Sequence, residues 1–202
     1  RLVNRDLDKY VRSYADDLEL HDWLANHIWP MEARMDEQDI YHGARLACLE
    51  MIKSGTTCFN DMYWHFPGVA RAVEEMGLRA VLASVFIDFH DAGKAAEQQA
   101  LTRRLHEEAR NYPDRIGFAL GPHAIYTVSE ASLRWAKTFA DENGLQIHIH
   151  LSETQKEVGD CVAQHGCRPV EWLDQIGFLG PSIVAAHGIH VEDGEIETLA
   201  RQ

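Results

Sequence analysis

Gln146-Ile147-His148-Ile149-His150-Leu151-Ser152-Glu153-Thr154 is the place from which the fold can be read outward. The stretch reads as a short apolar strand that delivers an imidazole and a carboxylate to its C-terminal end and then turns into a helix. Successive side chains of a strand alternate between faces, so His148 and His150 share one face. Glu153 comes after the strand and can fold back over whatever His150 holds. A neutral imidazole binds a divalent metal well, and a nearby carboxylate can move protons for an activated water. On these nine residues alone, that reading stands beside a plainer one, two histidines filling a buried strand.

The 202 residues suffice for one good core and point to a single domain. A net charge of −13 argues against nucleic acid or an anionic membrane as partner, since both select a basic face. No apolar run approaches the ~20 residues of a membrane span, and no signal-peptide pattern opens the chain. Cys48, Cys58, Cys161 and Cys167 lie apart with no C-x-x-C pair, which favours free thiols in a reducing cytoplasm over a zinc knuckle or disulfides. The chain opens on Arg1 and stops at Gln202 in a helical run from Gly194 to Arg201, so a longer polypeptide is expected.

Upstream, apolar positions recur at helical spacing from Asp6 to Asn26, and Pro30 is expected to break that run. A helix is predicted from about Ile40 to Lys53, then a short β-rich run, Thr56 to Phe59, ending at Asn60-Asp61. The unit recurs: helix Pro67–Met76, strand Ala80–Phe86, helix Gly93–Arg110, strand Ile116–Leu120, and a helix capped by Ser129 and closed at Gly144. After the His150 strand come helices Thr154–His165 and Pro169 to Gly177, then strand Ile183–Ala186 closed by His187. Five strands alternate with helices and no hairpin signal separates any two, so the sheet is expected to be parallel with right-handed crossovers. No G-x-G-x-x-G comes after a strand, which removes support for dinucleotide binding. Asp61, His123, His150 with Glu153, and His187 fall at or just after the ends of different strands. A barrel gathers such positions at one mouth, whereas a doubly wound sheet spreads them along an edge. The expected fold is therefore an α/β (β/α)8 TIM-type barrel, with five or six of its eight strands within residues 1–202.

Gly121-Pro122-His123-Ala124-Ile125-Tyr126-Thr127, His150-Leu151-Ser152-Glu153-Thr154 and Ala185-Ala186-His187-Gly188 resemble successive signature segments of the amidohydrolase superfamily. Tyr14 to Leu18, Trp23-Leu24 and Ile28 to Glu32 are similar to its branch of 5′-methylthioadenosine/S-adenosylhomocysteine deaminases and triazine chlorohydrolases. The resemblance implies a metal-dependent hydrolytic deaminase of an adenosine-type nucleoside, with one divalent metal, Zn2+ foremost and Fe2+ as the alternative. It implies that His150 is a metal ligand and that Glu153 carries a proton from the attacking water to the leaving amine. His187 would polarise that water, His123 would contact the substrate, and Glu32 would hold ribose hydroxyls. Homo-oligomers are usual in the family. Two other readings are a chlorohydrolase or aminohydrolase of a triazine, guanine or pterin-like ring, and a non-catalytic barrel without its metal.

The chain departs from the family pattern near its start, where Arg5-Asp6-Leu7 comes after Leu2-Val3-Asn4 in place of His-x-His. The family's last ligand, an aspartate of the eighth strand, would lie beyond Gln202. The expectation is that residues are missing from this sequence, against the rival of a degenerate homologue. Ile125 stands where the family often has proline. The Asp88–Lys94 loop lacks the arginine that related deaminases often use for an acidic substrate end. His148 reads as an interior residue. Asp61, Tyr63, Trp64, His65 and Phe66 read equally as pocket lining or core cover, as Trp23 does for a purine wall or a helix anchor. His21, His42, His106 and His165 read as surface residues.

Overall fold

The computed structural model describes Leu18 and residues 20–202. The expectations for Leu2-Val3-Asn4, for Tyr14 to Asp17 and for most of the helix opening at Asp6 lie outside the described residues. Helical turns α1 (Leu20–Trp23) and α2 (Trp29–Glu32) are succeeded by α3 (Glu37–Lys53), β1 (Cys58–Tyr63), α4 (Phe66–Met76) and β2 (Arg79–Phe86). Then come α5 (Ala92–Ala109), β3 (Ile116–Pro122), α6 (Glu130–Asn143), β4 (Gln146–Leu151), α7 (Gln155–His165), α8 (Pro169–Gln175), β5 (Ile183–His187) and α9 (Asp193–Arg201).

The five strands form one sheet in the order β1-β2-β3-β4-β5. β3 pairs with β4 and β4 with β5 in parallel, the latter in a register from Ile147↔Ile183 to Leu151↔His187. Strands laid down in sequence order and separated by helices are the pattern of a (β/α) barrel; a doubly wound sheet would reverse its order at a switch point. Contacts divide the chain into two compact units, residues 1–82 with 111–117, and residues 83–110 with 118–202.

In the first unit α3 starts on a capping box. The Asp36 carboxylate accepts from the amides of Gln38 and Asp39, and Asp39 accepts from the Asp36 amide. That acidic start lies outside the apolar period, so the helix begins three residues ahead of the sequence expectation. Ile40, Ala44, Ala47, Cys48 and Met51 of α3 are buried, as are Val69, Ala70 and Val73 of α4. Gly68 lets these helices meet: a Cβ there would stand 2.7 Å from the Glu37 carbonyl oxygen. Two expectations are corrected here. Pro30 does not end the helical run, because a π-helical turn at Leu24–Ile28, with the Trp29 amide donating to the Leu24 carbonyl, accommodates the ring ahead of it. Asn60 and Asp61 do not end β1 either; they lie inside it, with Asp61 buried.

In the second unit the core gathers Phe86, Leu120, Leu133, Phe139, Ile147, Ile149, Leu151, Leu173 and Phe178. Ser129 caps α6, and Gly144 closes it at φ 64°, the left-handed conformation that glycine adopts without a Cβ penalty. His148 is buried as expected. His106 and His165 correct the surface reading. His106 lies against Phe118 and Phe139, and His165 stacks on Trp172 at 4.4 Å, so flat rings on the inner edges of helices have been recruited as core cover. The four cysteines are free thiols. Among the described residues, no helix is long and apolar enough to cross a membrane.

Candidate active site

The site is built from backbone first. The His123 amide donates to the Phe86 carbonyl at 3.1 Å, the His150 amide to the His123 carbonyl at 2.9 Å, and the Gly188 amide to the Leu151 carbonyl at 2.9 Å. These bonds stitch the C-terminal ends of β2 to β5 side by side and bring three imidazoles together. Ring centroids of His123 and His150 are 4.8 Å apart, and those of His150 and His187 are 4.9 Å apart. Glu153 reaches the same place, its Oε1 3.4 Å from His187 Nε2. Ligating atoms of His150, Glu153 and His187 all lie within 4.8 Å of one another.

His187 at φ 72°, and Ser152 at φ 50° just before Glu153, sit in the left-handed backbone region without being glycine. Such conformations cost about 1–3 kcal/mol each and persist only where surrounding contacts fix them. Here the Ser152 carbonyl accepts from the amides of Ile189 and His190, at 3.1 and 2.9 Å. The turns after β4 and β5 therefore hold each other.

Burial favours the uncharged form of His150 and of His123. It presses His150 down to about 2, helped by His123, His187 and His148, and His123 down to about 4, helped by His187. Both rings are neutral at physiological pH and keep a lone pair to offer. His123 Nδ1 is bonded to Thr127 Oγ1 at 2.9 Å, which leaves Nε2 for a ligand. The Glu153 carboxyl is raised by burial, against the pull of His187, so it can take up and release a proton nearer neutrality than an exposed glutamate. The neutral His150 imidazole, the His187 ring and the Glu153 carboxylate, at mutual distances that one ion can bridge, form a donor set that fits a divalent cation.

Of the residues singled out from sequence, His123, His150, Glu153 and His187 are thus assembled in the second unit. Glu32 belongs to the first, where Tyr63 Oη donates to its Oε1 at 2.8 Å and Trp64 Nε1 to its Oε2 at 3.4 Å. Burial raises the Glu32 carboxyl, and those two donors oppose the rise. In that unit Asp61, Tyr63 and Phe66 are buried, Trp64 is half-buried and His65 is exposed, so the aromatic stretch is core cover at its ends and open only at its middle. Thr127 and Glu157 were not anticipated. A threonine four residues after His123, and an S/T-x-x-E pattern at Thr154 to Glu157, were the signals that pointed to them.

The amidohydrolase family model matches residues 8–202. The chain belongs to the amidohydrolase family. This amidohydrolase is 49% identical over 193 residues to a 5′-deoxyadenosine deaminase of Methanoregula boonei, an alignment that takes in 95% of the chain and 44% of the relative. It is 46% identical over 191 residues to 5-methylthioadenosine/S-adenosylhomocysteine deaminase 1 of Archaeoglobus fulgidus, covering 95% and 45% of the two chains. The crystal structure of an adenosine deaminase of Xanthomonas campestris with bound zinc superposes with a TM-score of 0.91 at 34% identity, over 99% of this amidohydrolase and 46% of that chain. The chain spans a little under half the length of the relatives it matches.

Proposed function

We propose that this amidohydrolase belongs to a zinc-dependent enzyme that hydrolytically deaminates an adenosine-type nucleoside, a cytoplasmic protein whose 202 residues form part of one barrel domain. The observation that carries the reading is the cluster of His150, Glu153 and His187 at adjoining strand ends, with the Glu153 carboxylate 3.4 Å from the His187 ring. The names of the sequence relatives, deaminases of 5′-deoxyadenosine and of 5-methylthioadenosine/S-adenosylhomocysteine, support a purine nucleoside as the substrate class. His150, neutral and half-buried, would hold the metal, which when bound supplies Lewis acidity that lowers the pKa of water from 15.7 toward about 7.

The protein's own groups do the rest. Glu153 accepts one proton from the attacking water and delivers it to the departing nitrogen, so that water's oxygen becomes bonded to the purine carbon and the C–N bond breaks to release ammonia. His187 orients that water through its Nε2, on the side where Glu153 stands. His123 offers Nε2 to the base, and Glu32 takes ribose hydroxyls while Tyr63 and Trp64 hold its carboxylate. The Asp88–Lys94 loop carries Lys94 as its only Lys or Arg, which favours a small, uncharged 5′ group over an amino-acid tail.

The test is a panel of nucleosides on the complete zinc-loaded polypeptide, monitored by ultraviolet absorbance and ammonia release. Conversion of 5′-deoxyadenosine or 5′-methylthioadenosine to the hypoxanthine nucleoside is the expected result. Inertness toward all adenine nucleosides, with turnover of a triazine or guanine, would replace this reading.

A further inference from the structure

The turn after β4 carries a second acid that has no part in the proposed proton transfer. Glu157 is only 4% exposed, and a carboxylate so withdrawn from water is costly unless hydrogen bonds replace its hydration. Its two oxygens take one amide each: Ser152 N donates to Oε1 and Glu153 N to Oε2, both at 2.8 Å. Its own amide donates to Thr154 Oγ1 at 3.1 Å, which fixes the start of α7 beneath it.

The gripped turn is unusual in two respects. Ser152 has a left-handed backbone, which no local preference of serine maintains. The Ser152 carbonyl, on the other side of the same residue, supports Ile189 and His190 in the segment after His187. One buried carboxylate therefore holds the backbone from which Glu153 projects and the residue on which the His187 turn rests.

We propose that Glu157 is a positioning residue: by clamping the Ser152 and Glu153 amides it aims the Glu153 carboxylate at the reacting atoms and keeps the His187 turn in place. This rests on the reading of Glu153 as the proton carrier. A glutamine in its place can accept through one oxygen only and turns an NH2 toward the other amide, so the clamp loses one jaw with little change in volume.

The experiment compares wild type, Glu157→Gln, Glu157→Asp and Glu153→Gln in the complete zinc-loaded enzyme on 5′-deoxyadenosine and on its 6-chloropurine counterpart. Both substrates take up water at the same carbon. The amine needs a proton to leave, whereas chloride departs with the bonding electron pair and needs none. A mis-aimed Glu153 is therefore felt most by the amine. For Glu157→Gln the expected kcat loss is about 10²-fold on the amine, the usual cost of a displacement near 1 Å, and at least about tenfold less on the chloride. Zinc content and KM should stay near wild type, and amide hydrogen exchange over residues 152–153 should accelerate.

Equal losses on both substrates, an unchanged kcat or unchanged exchange at the two amides would each overturn the proposal. If Glu157→Gln does not fold, Glu157→Asp keeps the charge and shortens the reach by one methylene. It should show the same selectivity at smaller size, and a uniform loss there counts against the clamp. Glu153→Gln separates the two readings: if it turns over normally, the proton-carrier role itself fails, and if it is inactive while Glu157→Gln loses both substrates alike, only the clamp fails.

Discussion

His150 can act as a ligand because its surroundings refuse it a proton: burial comes first, and two more imidazoles stand within 5 Å ring to ring, at 4.8 and 4.9 Å. Replacing it with alanine should abolish zinc retention, read by elemental analysis after dialysis. Glu153→Gln keeps the shape and removes the proton acceptor. It should cut turnover by about 10²–10⁴ with zinc retained, and undiminished turnover would remove Glu153 from the chemistry. Asp61 makes a different prediction. Burial raises its carboxyl from 3.8 to about 7, so between those values the folded protein holds a proton that the unfolded chain has released. Stability contributed by this group is thus full at low pH and is lost as pH rises toward 7. Asp61→Asn should flatten that dependence, each unit of the gap being worth about 1.4 kcal/mol, as measured by urea midpoints at the two ends of the window. At this scale the sequence was legible wherever a side chain ended a strand: His123, His150 and His187 could be named from position alone. For Glu157 the S/T-x-x-E pattern marks a helix start but not its role, which depends on two backbone amides and on Ser152 adopting a conformation that serine does not advertise.

Elements were legible where periodicity and caps agreed, as in α6 between Ser129 and Gly144. They were less so where tertiary packing overrode local preference. β1 carries two polar residues, Asn60 and Asp61, that look like a strand's end, yet the sheet extends through them to Tyr63. The helical run through Pro30 escaped for a similar reason, since a widened turn leaves no trace in composition. That turn has a measurable effect. Removing one residue from Leu24–Ile28 would restore an α-helical turn and rotate the downstream residues by about 100°. α3 and α4 offer the cleanest packing test. A methyl group on Gly68 would overlap the Glu37 carbonyl, so Gly68→Ala should cost about 1–3 kcal/mol in chemical denaturation, and an unchanged midpoint would mean that the helices slide apart freely.

For the molecule as a whole, the order of strands was legible because helices separate every pair and the polar residues fall at one kind of strand end. The two compact units were not, since two of their three boundaries, Leu82 to Ala83 and Gly117 to Phe118, fall inside β2 and β3, and the third, Arg110 to Asn111, falls at the end of α5 in a turn like any other. Because each of those strands contributes residues to both units, the described residues of the two units are expected to unfold together. Fluorescence of a variant keeping only Trp64 and of one keeping only Trp135 should then report coincident urea transitions, and separated midpoints would show independent folding. The pairing of β4 with β5, where Leu151 stands opposite His187, ties assembly to chemistry. A slip of one residue would send His150 to the other face of the sheet and exchange it for an aliphatic neighbour. On the proposed reading, correct assembly and chemical competence are therefore a single condition, and a mispaired molecule would be expected to be silent.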